Sequence, residues 1–410
     1  MKILVLGTGY IGLPICLALV EAGFEVAGQD TDSQRIANLQ MGIVDFDEEQ
    51  VDQLLNKNLN LGKLRFIQTV EEADAFIICV PTPIMDNYSP DLSHVKDAFY
   101  AVLAKAKQDN LIIVESTCPI GTTDYLIELA KKARLDLFDR NSNSTENFLL
   151  DFAYCPERIL PGSIMAELST LDRIIGGSSP KAAERAADIY RKITRGQLVF
   201  TSTKVAEMVK LSENAFRDVN IAFANNLESI ANTEGLDVRE VIRLSNLHPR
   251  VQILRPGPGV GGHCIAVDPY FLLNGKFNNV EVIRAARVTN SNRPKEMIAR
   301  IKSRLDKKNS SDSLIVFLGL SYKANSSDIR ESPSLQVVRF FIKSTGTHVH
   351  CFDPHLGDHH NKDIKFLRPM HELSDSLKRA NLIVLLTDHD EFQGLIDRFK
   401  DDSRFLNLRW

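Results

Sequence analysis

The sequence predicts an α/β fold: two doubly wound domains joined by a long central helix and a helical region able to pair subunits. Three observations predict it. Short apolar runs alternate with helical stretches at both ends of the chain, as in parallel sheets with crossover helices. Between them, residues 203–234 hold no glycine or proline and keep a helical apolar rhythm. The length, 410 residues, exceeds what one hydrophobic core organises. A 44% hydrophobic, 25% charged composition is that of a soluble globular chain, and a net charge of −4 gives no reason to expect nucleic acid as the main partner.

Taken in order, "KILVL" (2–6) reads as a buried strand and 11–22 as the helix after it. "EVAGQD" (25–30), "AFIICVPTP" (75–83) and "LIIVEST" (111–117) are further strands, and the polar run 139–147 reads as a mobile loop before "FAYCPE" (152–157). The long helix carries Val205, Met208, Val209, Phe216, Val219, Phe223, Leu227 and Ile230 and stops at Gly235; its length suits a spine or a subunit interface. From 313 the alternation returns: "SLIVFLGLSY" is a strand and turn, Ser332-Pro333 opens a helix, and "HVHCFD" and "NLIVLLTD" are strands. "LVLGTGYIGLP" near the start is echoed by "VFLGLSYKANS" at 316–326, which keeps one glycine of three and gains Lys323. The expected domains are 1–199, 200–305 and 306–410.

Lys2 and the apolar run after it could pass for a signal peptide, but Gly7, Gly9, Gly12 and Pro14 interrupt it and no cleavage pattern follows. No other stretch approaches a membrane span. The six cysteines (16, 79, 118, 155, 264 and 351) form no C-x-x-C pair. A reducing cytoplasm is the expected location.

Two motifs carry chemistry. Gly7-Thr8-Gly9-Tyr10-Ile11-Gly12 follows a strand and opens a helix, and Asp30 ends the next strand. The glycines permit the tight turn and pyrophosphate approach, and the helix N-terminus attracts the phosphates. Asp30 is placed to accept from a ribose 2′-hydroxyl and repels a 2′-phosphate, so the first domain reads as a Rossmann-like site preferring NAD over NADP. The second motif, "GPGVGGHCIAVDP" (257–269), packs four glycines and two prolines around Cys264, with Asp268 four residues on. Such a loop suits close approach to a ligand. The thiol could be a nucleophile, a metal ligand or packing. His263 beside it suggests a metal pair, yet neighbours in an extended segment point to opposite sides, so no metal site is expected. Lys210 and Asn214 stand one turn apart, with Glu207 and Arg217 continuing the stripe; such stripes are usually solvated faces. Cys16, Cys79 and Cys351 read as core, and Cys118 and Cys155 lack a glycine loop.

"GVGGHC" with Asp268, "KLSENAF", "YCPERILPGS", "VPTP", "ESTCPIGTT" and "SDIRESP" (327–333) together resemble the UDP-glucose/GDP-mannose 6-dehydrogenase family, in order along the whole chain. The resemblance implies an NAD domain, a dimer-forming central helix and a nucleotide-sugar domain. It implies a four-electron oxidation of sugar carbon 6, with Cys264 capturing the aldehyde. Lys210 and Asn214 would stabilise the oxyanion, Asp268 would be a general base, and Glu157 with Thr117 would activate the hydrolytic water. The implied cofactor residues are Gly7, Gly9, Tyr10, Ile11, Gly12, Asp30, Arg35, Pro81, Thr82, Thr117 and Arg330. The implied substrate residues are Arg158, Leu160, Lys210, Asn214, Arg217, Arg250, Arg255, Gly257, Gly261, His263, Tyr322 and Lys323. Arg250 is expected to reach across a homodimer into the partner's pocket.

His263 stands where UDP-glucose enzymes carry serine, Val267 where they carry lysine, and Pro161 replaces a second glutamate. "YCPERILPGSIMAEL", "ENAFRDVNIAFAN" and "HPRV" instead resemble the branch acting on a UDP-N-acetylhexosamine. The mannosamine epimer is the expected substrate, with UDP-N-acetylglucosamine as the alternative. A two-electron β-hydroxyacid dehydrogenase would need neither Cys264 nor residues 313–410. A non-catalytic NAD sensor would need none of Lys210, Asn214, Cys264 and Asp268.

Overall fold

The computed structural model describes residues 1–44, 46, 48–137, 149–159, 163–275, 277–305, 313–357 and 364–409. Leu160, Pro161 and the run 139–147 lie outside them. The chain forms two compact units, Met1–Glu213 with Tyr270–Lys276, and Asn214–Pro269 with Phe277–Trp410.

The first unit is built on eight strands: β1 (Lys2–Leu6), β2 (Glu25–Gln29), β3 (Leu64–Ile67), β4 (Ala75–Ile78), β5 (Leu111–Val114), β6 (Asp151–Tyr154), β7 (Arg173–Gly177) and β8 (Leu198–Ser202). Their order is β3-β2-β1-β4-β5-β6-β7-β8. Side chains alternate across the sheet. Ile3 and Val5 therefore enter one core, with Leu13, Ile15 and Cys16 of the helix Gly12–Glu21. Leu4 and Leu6 enter the other, with Phe76, Ile112 and Phe152. The strands after Ile78 and Val114 are shorter than the sequence suggested, because the following residues turn off as loops. One pair departs from the expected parallel pattern: β7 runs antiparallel to β6.

The second unit carries β9 (Ile315–Leu318), β10 (Val349–Phe352), β11 (Leu382–Leu385) and β12 (Phe405–Asn407), in the order β10-β9-β11-β12, all parallel. Cys351 is core here, as expected.

The long helix spans Thr203–Glu234, ending at Gly235 with φ +67°. Its apolar rhythm predicted the helix but not the buried face. Val205, Met208, Phe216, Phe223 and Ile230 are half or more exposed, while Ala206, Glu207, Leu211, Asp218 and Asn225 are buried. Glu207 does not continue a solvated stripe: its carboxylate accepts from Gly121 N and Thr123 N and caps the helix Thr122–Ala133.

Candidate active site

The sheet order reverses direction between β1 and β4, and in open α/β sheets ligands bind at the carboxyl ends of the strands beside such a switch point. Gly7–Gly12, Asp30, Pro81 with Thr82, Thr117, and Glu157 with Arg158 follow the carboxyl ends of β1, β2, β4, β5 and β6 respectively. Gly7 (φ +87°) and Gly12 are demanded by the chain itself. A Cβ would lie 2.7 Å from Cys79 O at the first and 1.8 Å from Gly7 O at the second. Gly9 is different. Its φ is not positive, and a Cβ there would meet nothing within 4 Å. The fold leaves that space open, which fits a dinucleotide pyrophosphate laid on the turn.

Asp30 accepts from Thr8 N at 2.9 Å, Thr8 Oγ1 at 3.1 Å and Asp32 N at 3.0 Å, with the Arg35 guanidinium 3.4 Å away. Burial opposes its ionisation, but the Asp32 and Thr8 donors and Arg35 outweigh it and hold the carboxyl below its usual range. Asp30 is therefore an anion at the carboxyl end of β2. Tyr10 packs on Phe46 and donates to Glu48, and Ile11 precedes the first helical turn.

Glu157 is held rather than displayed. Its Oε1 accepts from Arg158 N (2.6 Å) and Ile159 N (2.9 Å), and Oε2 pairs with Arg173 at 2.9 Å. Lys210 Nζ donates to Glu157 O at 2.6 Å, which ties the long helix to this turn. Arg158 pairs with Glu213 (2.6 Å) and donates to Asp172 O (3.1 Å). Behind Glu157 lies a cluster that sequence reasoning did not assemble, although "ESTCPIGTT" opens with one of its members. Buried Glu115 sits 3.4 Å from Arg173, accepts from Tyr190 Oη, and lies 3.3 Å from Cys79 Sγ. Cys79 is half-buried against the core, as expected, and it also touches this polar cluster; Cys118 and Cys155 are buried.

In the second unit the glycines do specific work. Gly259 (φ +141°) and Gly262 (φ +79°) occupy backbone that side chains avoid, and a Cβ on Gly261 would lie 2.7 Å from both Tyr322 Cβ and Pro333 Cδ. The loop is laid against the 322–333 segment, where Gly262 N donates to Arg330 O at 3.0 Å. Its two ends are fixed by buried polar side chains. Gly257 N donates to Asn225 Oδ1 (2.9 Å), Arg293 Nε donates to Gly257 O (3.1 Å), and Arg287 donates to Ile265 O (3.2 Å). Asn225, Asn290, Asp218 and Arg287 form one buried network between the helices Thr203–Glu234 and Glu281–Arg304.

Cys264 is half-buried, and its carbonyl accepts from Val267 N and Asp268 N, so the thiol sits at a bend entering a turn. The extended segment expected around His263 is absent, and the opposite-sides reasoning falls with it; His263 is exposed. Asn214 Nδ2 donates to buried Asp268 Oδ2, joining two predicted residues directly. Burial, then Asp328 and Cys264, push the Tyr322 hydroxyl up to about 12 against Arg330 and Arg217, so it stays a neutral donor. Lys323 is half-buried beside it. Arg330 pairs with Asp328 at 2.6 Å. Arg217, Arg250 and Arg255 are exposed.

A glycine turn with open space over Gly9, at the switch point of the sheet, defines a dinucleotide-binding domain. Comparison with known proteins gives the family. The UDP-glucose/GDP-mannose dehydrogenase family matches by its NAD binding domain over residues 1–194, its central domain over 204–292 and its UDP binding domain over 316–405. The UDP-N-acetyl-D-mannosamine dehydrogenase of Methanococcus maripaludis is 41% identical, over 96% of this chain and 87% of its own. An NDP-N-acetyl-D-galactosaminuronic acid dehydrogenase of Ralstonia nicotianae is 40% identical, over 95% and 91%. The solved UDP-D-ManNAc dehydrogenase of Pyrococcus horikoshii superposes with TM-score 0.88 at 37% identity, covering 100% of this chain and 95% of that one. The chain belongs to the UDP-glucose/GDP-mannose dehydrogenase family and is an NAD-dependent UDP-sugar dehydrogenase. Among the described residues no helix is long and apolar enough to cross a membrane.

Proposed function

We propose that the protein oxidises carbon 6 of UDP-N-acetyl-D-mannosamine to give UDP-N-acetyl-D-mannosaminuronate. Two NAD are reduced and one water is consumed per sugar. The observation that carries this reading is the Cys264 loop, with its glycines pressed on Tyr322 and its ends tied into buried side chains. A two-electron dehydrogenase needs no such device. NAD, when bound, accepts hydride from carbon 6 in each oxidation.

The chain's residues supply the rest. The Cys264 thiolate adds to the aldehyde carbon, and the thiohemiacetal that results becomes a thioester when it loses hydride. Water then opens the thioester, releasing the carboxylate and the free thiol. Lys210 and Asn214 stabilise the oxyanions, Asp268 takes the thiol proton, and Glu157, with Thr117, takes the proton of the attacking water. Tyr322, Lys323, Arg217, Arg255, Arg330 and His263 are assigned to nucleotide, sugar and cofactor contacts.

The exposed apolar stripe of Val205, Met208, Phe216, Phe223 and Ile230 supports a homodimer in which a second copy covers this helix and lends Arg250. Six cysteines, none in a disulfide, fit a reducing compartment, and we place the reaction in the cytoplasm. The Ralstonia relative's name favours UDP-N-acetylgalactosamine as a second reading.

One assay separates them: NADH formation from UDP-N-acetylmannosamine, UDP-N-acetylglucosamine, UDP-N-acetylgalactosamine and UDP-glucose. The highest kcat/KM is expected on the first. A preference for any other replaces this assignment.

A further inference from the structure

We propose that Glu115 is a positioning residue for Glu157, acting through the guanidinium of Arg173 that both carboxylates share. The inference rests on the reading of Glu157 as acceptor of the hydrolytic water's proton.

Five elements of the first unit converge on this cluster. Cys79 follows β4, Glu115 follows β5, Cys155 and Glu157 follow β6, Arg173 opens β7, and Tyr190 ends the helix Pro180–Tyr190. The antiparallel course of β7 matters here. Its last residues, Gly176 and Gly177, pair with Tyr154 and Ala153, so its first residue, Arg173, lies beyond the carboxyl end of β6. A parallel β7 would carry Arg173 to the opposite edge of the sheet.

Arg173, 5% exposed, reaches Glu157 Oε2 at 2.9 Å through one terminal nitrogen and Glu115 Oε1 at 3.4 Å through the other. Its guanidinium carbon stands 4.7 Å from the Tyr190 ring centroid, and Tyr190 Oη donates to Glu115. Glu115 and Tyr190 thus fix the plane of the guanidinium, and the guanidinium fixes the one Glu157 oxygen that backbone donors do not hold.

The cluster's charge makes the arrangement responsive. Two carboxylates face one cation in a buried site, so one bound proton renders the cluster neutral. The groups facing Glu115 are Cys79, Cys155, Glu157, Arg173 and Tyr190. Burial, and repulsion by Glu157, push the Glu115 carboxyl up to about 7 against the pull of Arg173. With Glu115 protonated, Arg173 serves Glu157 alone and holds it as a fixed anion. With Glu115 ionised, the guanidinium divides between two carboxylates, and Glu157 is released to accept a proton from water.

The test is the pH profile of thioester hydrolysis, measured as kcat for uronate formation under conditions where hydrolysis limits. Wild-type enzyme should gain about tenfold between about pH 6 and pH 8, as one group ionises midway. Glu115→Gln, a mimic of the protonated form, should be flat over that range and stay near the wild-type value at the acid end. A merely structural role would lower the whole profile and leave the inflection in place. A Glu115→Gln enzyme with the wild-type inflection overturns the proposal.

A second measurement, on wild-type protein, needs no variant to fold. Infrared difference spectra should show one buried carboxylic acid band that bleaches as pH rises through about 7; its absence at the acid end overturns the proposal. Failure of the underlying reading looks different. Glu157→Gln hydrolysing the thioester at the wild-type rate removes Glu157 as the proton acceptor, while the infrared band still titrates.

Discussion

The turn after β1 and the turn after β9 are two versions of one device, and only one is left open. In both, a positive-φ glycine (Gly7 at +87°, Gly319 at +82°) donates its N–H to the end of the neighbouring strand, Gln29 O and Phe352 O, each at 2.8 Å. An aspartate just past that strand, Asp30 or Asp353, accepts N–H groups from the turn. There the likeness ends. Asp353 accepts from Leu320 N, Ser321 N and Ser321 Oγ, and His389 Nε2 closes over it at 3.1 Å, with His389 Nδ1 engaged by Asn325 N. Asp30 is paired instead with the more exposed Arg35.

The helix begins at Gly12 after the first turn but only at Pro333, capped by Ser332, after the second. The first turn therefore presents a helix N-terminus to a phosphate. The second has turned its aspartate into a structural hub. The same pocket explains why His389, although grouped with His355 and Glu391, has no nitrogen left for a metal ion.

The largest expected effect lies at the sealed hub. Asp353→Ala strands two backbone N–H groups and the His389 donor in a buried site, and should cost on the order of 3–5 kcal/mol of unfolding free energy by denaturant titration. NAD affinity of the surviving folded fraction should not change. Gly12→Ala, with its Cβ 1.8 Å from Gly7 O, should cost about 3 kcal/mol and abolish NAD binding by calorimetry. An alanine enzyme that binds NAD normally would show that the turn can yield.

At the open aspartate, Asp30→Ala should weaken NAD binding by roughly 1–3 kcal/mol and relax discrimination against NADP, read from KM for each cofactor. A wild type that prefers NADP contradicts the comparison outright.

The two turns also share a pH signature that Glu115 opposes. Asp30 and Asp353 are held below the usual range, so the stability they add is present above the ordinary carboxylate pKa and lost as pH falls through their folded values. Glu115 is raised, to about 7. Its contribution is complete below the ordinary pKa of about 4.3 and is lost as pH rises through about 7, on the order of 3–4 kcal/mol in all. Urea midpoints of Glu115→Gln should therefore fall less than wild type between about pH 5 and pH 8; equal falls would place the Glu115 proton elsewhere.

The smallest effect concerns sharing between subunits. Mixed, reassorted Arg250→Ala and Cys264→Ala dimers should recover about a quarter of wild-type sites by twofold arithmetic. No recovery would place Arg250 within its own chain.

How far this was legible depends on where the signal sits. The strand-turn-helix after β1, the bounds of the long helix and the Ser332-Pro333 cap follow from local chemistry, and each was read correctly. The buried face of the long helix was misread, because its large apolar residues point outward while Glu207, Asp218 and Asn225 are buried and hydrogen-bonded inside. The helix Glu281–Arg304 escaped notice for the same reason: Arg287, Asn290 and Arg293 are buried, and Pro294 lies within it. Glu115 opens the quoted run "ESTCPIGTT", but nothing there points to Arg173, which lies in no motif. The two lie 58 residues apart, and only the reversal of β7 brings them together. The glycine loop around Cys264 stood out because several constraints fall in one short segment. Its anchors did not, being spread over two helices.

The central claim is that Cys264 captures the aldehyde so that one sugar undergoes two oxidations. The most direct measurement is NADH formed per UDP-N-acetylmannosamine consumed, alongside uronate yield, in wild type and Cys264→Ala. The account predicts two NADH and one uronate per sugar in wild type, and no net uronate from the variant although it still binds NAD. One NADH per sugar in wild type, or uronate at the normal rate from Cys264→Ala, would contradict it.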